Sequence, residues 1–379
     1  LWLGGDADAA VSPLLLGALR SLERTDPHTA SDLLEVAKRA MTVADVPPGD
    51  ERRGRATYAE VAVRLQRSDL PRALELGGEL RDEARRQGWT HLESLAAMTL
   101  GRIALMRWQL DEALALFREA EPGVAGEPSE HLACLRGMAA AATYQGRLDE
   151  AAQHLALARR VVPQDASQHV LGGLHLAIAT LEWARHDVDR TLEEMDRSVG
   201  HYRRSGDRMG LAAAISTHAA ILRDLGKLEE AEREMCDIAA QVAGVSPDLS
   251  GILEMGLGLI RTLMGRADEG IAAIRRELQR ELDVGRALYV PRSRLYLAVA
   301  LATVGDPEAR ELLDLACEGL AGQAVVHTDT ALMLERAAEA CARHRWDDHA
   351  ARAAALATEM WRRLGNHARA GDATVTTRA

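Results

Sequence analysis

Thirteen histidines lie scattered along the chain, and a metal centre is the chemistry they would most readily serve, because the neutral imidazole is a common zinc ligand. Their spacing does not follow. No HExxH occurs, and the tightest group, His344-Arg345-Trp346-Asp347-Asp348-His349, straddles an expected turn with its histidines five apart and an arginine between them. A solvated or capping role fits it better than a zinc site. His169 and His175, six apart, point away from each other on one helix and read as structural. Cys134, Cys236, Cys317 and Cys341 lie far apart with no CxxC pair, so neither a zinc ribbon nor a disulfide framework is expected, only reduced cytoplasmic thiols. There is no GxxxxGK[ST] loop and no GxGxxG following a strand, and Gly172-Gly173 sits inside a helical pattern as a point of close packing. GxSxG and any Cys-plus-His nucleophile signature are also missing. The acid pairs Glu229-Glu230 and Glu193-Glu194 fall at expected repeat turns, where helix N-termini favour negative charge. No catalytic residue, metal ligand or cofactor site is expected, and the chain reads as a non-enzyme.

The balance of 46 basic against 57 acidic residues gives a net charge of −11, which argues against direct nucleic-acid contact from this segment. Basic runs such as Arg52-Arg53-Gly54-Arg55 and Arg275-Arg276 are interleaved with acids, as on solvated helix faces. No apolar run reaches the roughly 18 to 20 residues of a spanning helix, so no membrane contact is expected. With Leu1 in place of methionine and no signal-peptide pattern, the chain reads as an excised or processed piece.

The elements that must position any site are set by a repeat. The motif Gly-x-Leu-x-Glu-Ala is clearest in Gly146-Arg147-Leu148-Asp149-Glu150-Ala151 and Gly226-Lys227-Leu228-Glu229-Glu230-Ala231. Its closing small residue recurs at Ala73, Ala113, Ala151, Thr191, Ala231, Gly270, Ala309 and Ala350, with an outlying copy at Ala30, at a spacing near 40. Each copy carries an apolar helix, a glycine-centred stop, an acidic start and a second amphipathic helix. Around Ala113, Leu100-Gly101 precede, Phe117 and Ala120 follow, and Pro122 is expected to stop the second helix, as in the tetratricopeptide pattern. The expected fold is all-α: a tetratricopeptide-like α-solenoid of about nine helix pairs forming a right-handed superhelix. It is read as a single helical-repeat domain over 1–379, with an irregular capping repeat at 1–50, regular repeats at 51–365 and a frayed tail at 366–379. Residues 46–50, 123–128 and 243–247 read as inter-repeat loops.

The remaining candidate for function is the groove. In such folds the first helix of each pair lines the concave face. Helical spacing puts Leu95, Met98, Arg102 and Met106 there, then Arg136, Thr143 and Tyr144, then Thr180 and Trp183, then Ser216 and Arg223, then Met255 and Leu259. Met98, Arg102, Arg136, Tyr144, Trp183, Arg223 and Met255 are the expected ligand or partner residues. Adaptable methionines with a few arginines and aromatic rings suit a peptide, an amphipathic helix or an apolar small molecule carrying an anion.

Three segments carry a family resemblance. Leu14-Leu15-Leu16-Gly17-Ala18-Leu19, Asp26-Pro27-His28-Thr29-Ala30-Ser31-Asp32-Leu33-Leu34 and Pro48-Gly49-Asp50-Glu51-Arg52 resemble the start of the helical-repeat region of large ATP-binding LuxR-family (STAND) regulators, which include the maltose-regulon activator. The stretch from Ala351 to Ala370 resembles what such proteins carry before their C-terminal helix–turn–helix, and Tyr202 to Ala212 resembles repeats of antibiotic-pathway regulators. The resemblance implies a cytoplasmic sensor domain of a transcriptional regulator, binding a small inducer or a partner protein in the groove and relaying to attached ATPase and DNA-binding domains. Any oligomer would then form through the parent protein. A freestanding scaffold that binds peptides or proteins is the other reading.

Overall fold

A computed structural model describes residues 6–23, 26–67, 69–243, 247–323, 325–367 and 369–370. Among the described residues the chain forms eighteen α-helices and no strand. They run α1 (Ala7–Glu23), α2 (Pro27–Val43), α3 (Glu51–Gln66), α4 (Leu70–Gln87), α5 (Thr90–Met106), α6 (Leu110–Val124), α7 (Pro128–Tyr144), α8 (Leu148–Arg160) and α9 (Gln168–Ala184). The second half continues with α10 (Val188–Ser205), α11 (Arg208–Asp224), α12 (Leu228–Val242), α13 (Pro247–Leu263), α14 (Ala267–Val284), α15 (Val290–Val304), α16 (Glu308–Ala321), α17 (Thr328–Arg343) and α18 (Asp347–Arg363). Within the pairs α1 packs on α2, α5 on α6, α13 on α14, α15 on α16 and α17 on α18. First helices also stack on first helices, α1 on α3, α3 on α5, α13 on α15 and α15 on α17, which is the packing of a helical-repeat solenoid.

The repeat residues explain this packing. All nine small positions, Ala30 through Ala350, are buried. At Gly270 a β-carbon would stand only 2.2 Å from the Gly258 carbonyl oxygen, so the helix axes approach as closely as backbone allows. Four residues beyond, Phe117, Leu155, Met195, Met235, Ile274 and Leu313 are buried and fill the space between pairs. The motif glycine supplies the turn: Gly146, Gly226, Gly265 and Gly305 have φ between 77° and 86°, where a β-carbon is disfavoured. Three copies put another residue there, Trp108 (φ 57°), His186 (φ 63°) and Arg345 (φ 58°).

Two local expectations need correction. Pro122 lies inside α6, which runs on to Val124. The last turn is held by tertiary contact, since a β-carbon on Gly123 would meet Ser94 Oγ at 2.1 Å and the Gly123 carbonyl lies 3.3 Å from His91 Nδ1. Those contacts offset the single backbone bond that proline removes. Glu193-Glu194 is not at a turn either: α10 begins at Val188, and Glu194 is buried a turn inside, 2.6 Å from His175 Nδ1. Residues 371–379 of the expected tail and 244–246 of one expected loop lie outside the described residues.

The chain divides into two compact units, one of residues 1–141, 153–174 and 200–210, the other of 142–152, 175–199 and 211–379. In the first, buried Val11, Leu15, Leu34, Met41 and Val46 form one apolar cluster. The second holds a larger one built on α13 to α18, in which Leu295 to Ala302 of α15 are buried all round.

Candidate functional site

In the second unit, residues far apart in sequence meet at the end of α7. The Val326 N–H donates to the Tyr144 carbonyl at 2.8 Å. Gly146 rests on the end of α18 so closely that a β-carbon would stand 1.9 Å from the Arg363 carbonyl oxygen. His327, just before α17, stacks on Tyr144 with centroids 5.6 Å apart and meets Trp183 edge-on at 6.2 Å. Burial, reinforced by the charge of Arg292, pushes the His327 imidazole down to about 4. A void of about 30 Å³ remains beside these rings, lined in part by Thr143, Thr180 and Thr217, with room for a water or two.

Next to the rings lies a buried ionic network. Arg223 of α11 donates to Asp329 Oδ1 at 2.7 Å, to Tyr296 Oη at 3.3 Å and to Asp224 Oδ1 at 3.0 Å. Tyr296 Oη donates to Asp329 Oδ2 at 2.6 Å, and Arg292 to the same oxygen at 3.2 Å. Burial alone would raise the Asp329 carboxyl, but the Arg223 and Arg292 guanidinia hold it well below the usual carboxylate range. Arg336 of α17 reaches Asp224 at 3.5 Å. The network therefore ties α11, α15 and α17 together, and its buried charges are paired as burial demands.

A cavity of about 370 Å³ adjoins this network. Trp183, Val188, Ile221, Leu225 and Leu332 give it apolar wall, while His186, Asp224, Glu335, Arg336, Glu339 and Arg369 supply polar groups. Its size and mixture are those of a small-ligand or side-chain pocket. Glu335 accepts from Trp361 Nε1 at 2.6 Å and from Arg369 at 2.5 Å, and burial raises its pKa. His186 is the unusual member. It occupies the motif's glycine position in the left-handed region, and its buried Nδ1 has no hydrogen-bond partner among the described residues. Burial also lowers its pKa, which favours the neutral ring, with one donor and one acceptor nitrogen.

Of the residues expected to line the groove, Tyr144 and Trp183 are brought together by His327, and Arg223 is spent on Asp329. Met255 belongs to the apolar core of the second unit. In the first unit Met98 is buried, Arg102 is exposed and Arg136 is half-buried. Spacing alone did not single out His327, Asp329 or Glu335. His186 did carry a signal, a non-glycine at the turn position five residues before Thr191.

Among the described residues no three His, Cys, Asp or Glu side chains converge as a metal site. His344 lies tilted over Trp346 at 5.1 Å, and His349 Nε2 is 3.5 Å from Asp314. Burial pushes the Cys134 and Cys317 thiols up to about 12 and Cys341 to about 11, which makes them poor nucleophiles. None of the helices among the described residues is long and apolar enough to cross a membrane.

No protein-family model matches the chain, and no curated protein matches it. Solved structures do. A Rap protein complexed with competence and sporulation factor superposes with a TM-score of 0.69 at 16% identity, over 96% of this chain and 98% of that one. NprR in complex with its cognate peptide NprX gives 0.58 at 14% identity, over 92% and 98%. A signal transduction ATPase with numerous domains (STAND) with a tetratricopeptide repeat sensor, from Pyrococcus horikoshii, gives 0.53 at 14% identity, over 94% of this chain and 52% of that one. The chain is thus similar throughout to helical-repeat proteins, and spans about half the length of the STAND protein.

Proposed function

We propose that this chain is a non-catalytic sensor and interaction domain whose ligand enters the cavity beside His186. The observation that carries the reading is His186 itself: a strained turn residue with a buried ring nitrogen that has no partner among the described residues, at a cavity of about 370 Å³. Strain and an unmet hydrogen bond each cost on the order of 1–3 kcal/mol, and a ligand that donates to the ring or relieves the turn recovers part of that. Asp224 and Arg336 belong both to the cavity wall and to the network tying α11 to α17. A ligand touching them binds one pairing of those helices better than another, which is what a sensor requires.

The Rap and NprR structures, each solved with a peptide or signalling factor bound, favour a short peptide as the ligand class. The likeness to the STAND sensor supports a place inside an ATP-binding regulator of LuxR type, relaying to an ATPase and a DNA-binding domain. A peptide-binding adaptor acting without such domains is the second reading, favoured by likeness along 98% of the Rap chain. The complete gene decides between them.

The test is a thermal-shift and calorimetric screen of the purified chain against short peptides, sugars and small metabolites. A ligand at 100 times its dissociation constant adds about 2.7 kcal/mol to the folded state. A reproducible rise in Tm is expected with one class, abolished in His186→Phe and weakened in Glu335→Gln. A saturating ligand indifferent to both substitutions, or no binding heat across the panel, overturns the reading.

A further inference from the structure

The first unit holds a second locus, independent of the cavity beside His186. Arg136 of α7 is half-buried, yet among the described residues its guanidinium has no hydrogen bond and no ion pair. It lies against the backbone of α9, where a β-carbon at Gly173 would stand 2.1 Å from its Nη1. Burial disfavours its charge, and so does the neighbouring charge of Arg102 on α5, itself exposed and, among the described residues, without a carboxylate partner. The ring of Tyr202 packs on the same helix, 2.9 Å from where a β-carbon of Gly172 would be, and burial raises its phenol. The carboxylate acting on this group is Asp207, and its oxygens already accept from the Gly210 N–H at 2.9 Å and meet His169 Nδ1 at 2.7 Å. Donors converge here, and the acceptor among them is occupied.

We propose that Arg136 and Arg102 form a binding site for the carboxylate of a peptide lying along α5, α7 and α9. The two guanidinia and the Asp207 carboxylate sum to about one positive unit; a carboxylate cancels it, whereas a phosphate dianion would overshoot. The planar guanidinium matches a carboxylate with two parallel hydrogen bonds, which a lysine cannot copy. Gly173 is what leaves room for the fork beside α9, so it belongs to the site although it donates nothing. The inference rests on the reading that first helices carry the binding face, but not on the His186 cavity.

The experiment is an NMR titration of the full chain, ¹⁵N-labelled at arginine, with N-acetyl-penta-alanine bearing a free carboxylate, its C-terminal amide, and inorganic phosphate. The expected result is a saturable shift of the Arg136 and Arg102 Nε–H signals with the free carboxylate. The amide should bind at least tenfold more weakly, as should the acid to Arg136→Gln, and Arg136→Lys should fall between. Gly173→Ala, which displaces the guanidinium without removing charge, should weaken binding in the same way while the far-UV spectrum is kept. Equal binding of acid and amide, tighter binding of phosphate than of the acid, or unmoved arginine signals up to the solubility limit each overturn the site. Acid binding that persists in His186→Phe separates this outcome from failure of the sensor reading.

Discussion

Arg223 and Arg136 both sit on first helices of their pairs, the one buried and the other half-buried, but they live in opposite electrostatic company. In the second unit Arg223 is met by Asp224, Asp329 and Tyr296, and its charge is held firmly. In the first unit Arg136 meets another arginine and a carboxylate already engaged, and its charge is disfavoured. Burial alone does not tell a structural cation from a binding one. What separates them is whether the chain supplies the counter-ion.

That contrast can be broken most severely at Arg223. Arg223→Met leaves the buried Asp329 carboxylate with Arg292 as its remaining counter-ion, and denaturant unfolding should show a loss of about 3 kcal/mol. Asp329→Asn should cost a comparable amount, whereas replacing Arg223 and Asp329 together by apolar residues should cost less than the sum of the two single changes, because the two charges leave together and Asp224 keeps Arg336.

Acid probes the same region through His327. Its folded pKa, about 4, lies below the free value of 6.5. The unfolded chain therefore binds the extra proton first, so the contribution is present above pH 6.5 and is lost as pH falls toward 4. At about 1.36 kcal/mol per unit, discounted for partial exposure, the loss should be roughly 2 kcal/mol, and a Tm-versus-pH profile of His327→Gln should lack it.

A smaller effect is expected at the turn. His186→Gly relieves the left-handed backbone and should raise stability by about 1 kcal/mol while abolishing ligand binding at the cavity; a loss of stability would show that the imidazole is structural. Smallest of all, Arg136→Met should move unfolding by no more than about 0.5 kcal/mol, in either direction, since no pair is broken. A cost approaching that of Arg223→Met would erase the comparison.

The repeat was legible because each of its marks answers a local demand. A glycine is favoured where the turn enters the left-handed region, and a small residue where two helix axes close to contact, as at Gly270. Spacing also placed Arg136, Tyr144, Trp183 and Arg223 on first helices, and the structure finds each of them in a local cluster. It could not assign their partners. Asp329 meets Arg223 across 106 residues, and His327 meets Tyr144 only because Val326 bonds to the Tyr144 carbonyl. Solenoid logic, in which each repeat sees its neighbours alone, carries no term for such contacts. Pro122 and Glu194 were misplaced for a related reason, since Ser94, His91 and His175 decide their surroundings from other helices.

The bond between Val326 and Tyr144 has a consequence for how the second unit comes apart. Stacked repeats ordinarily melt piecemeal from their ends, because every contact is local and contact order is low. Here the unit is closed by a backbone hydrogen bond between residues almost half the chain apart, backed by the seat of Gly146 on α18. Closing that loop must be slow, and losing it releases contacts at both ends at once. The second unit should accordingly melt as one cooperative block, folding late and resisting proteolysis until it yields whole.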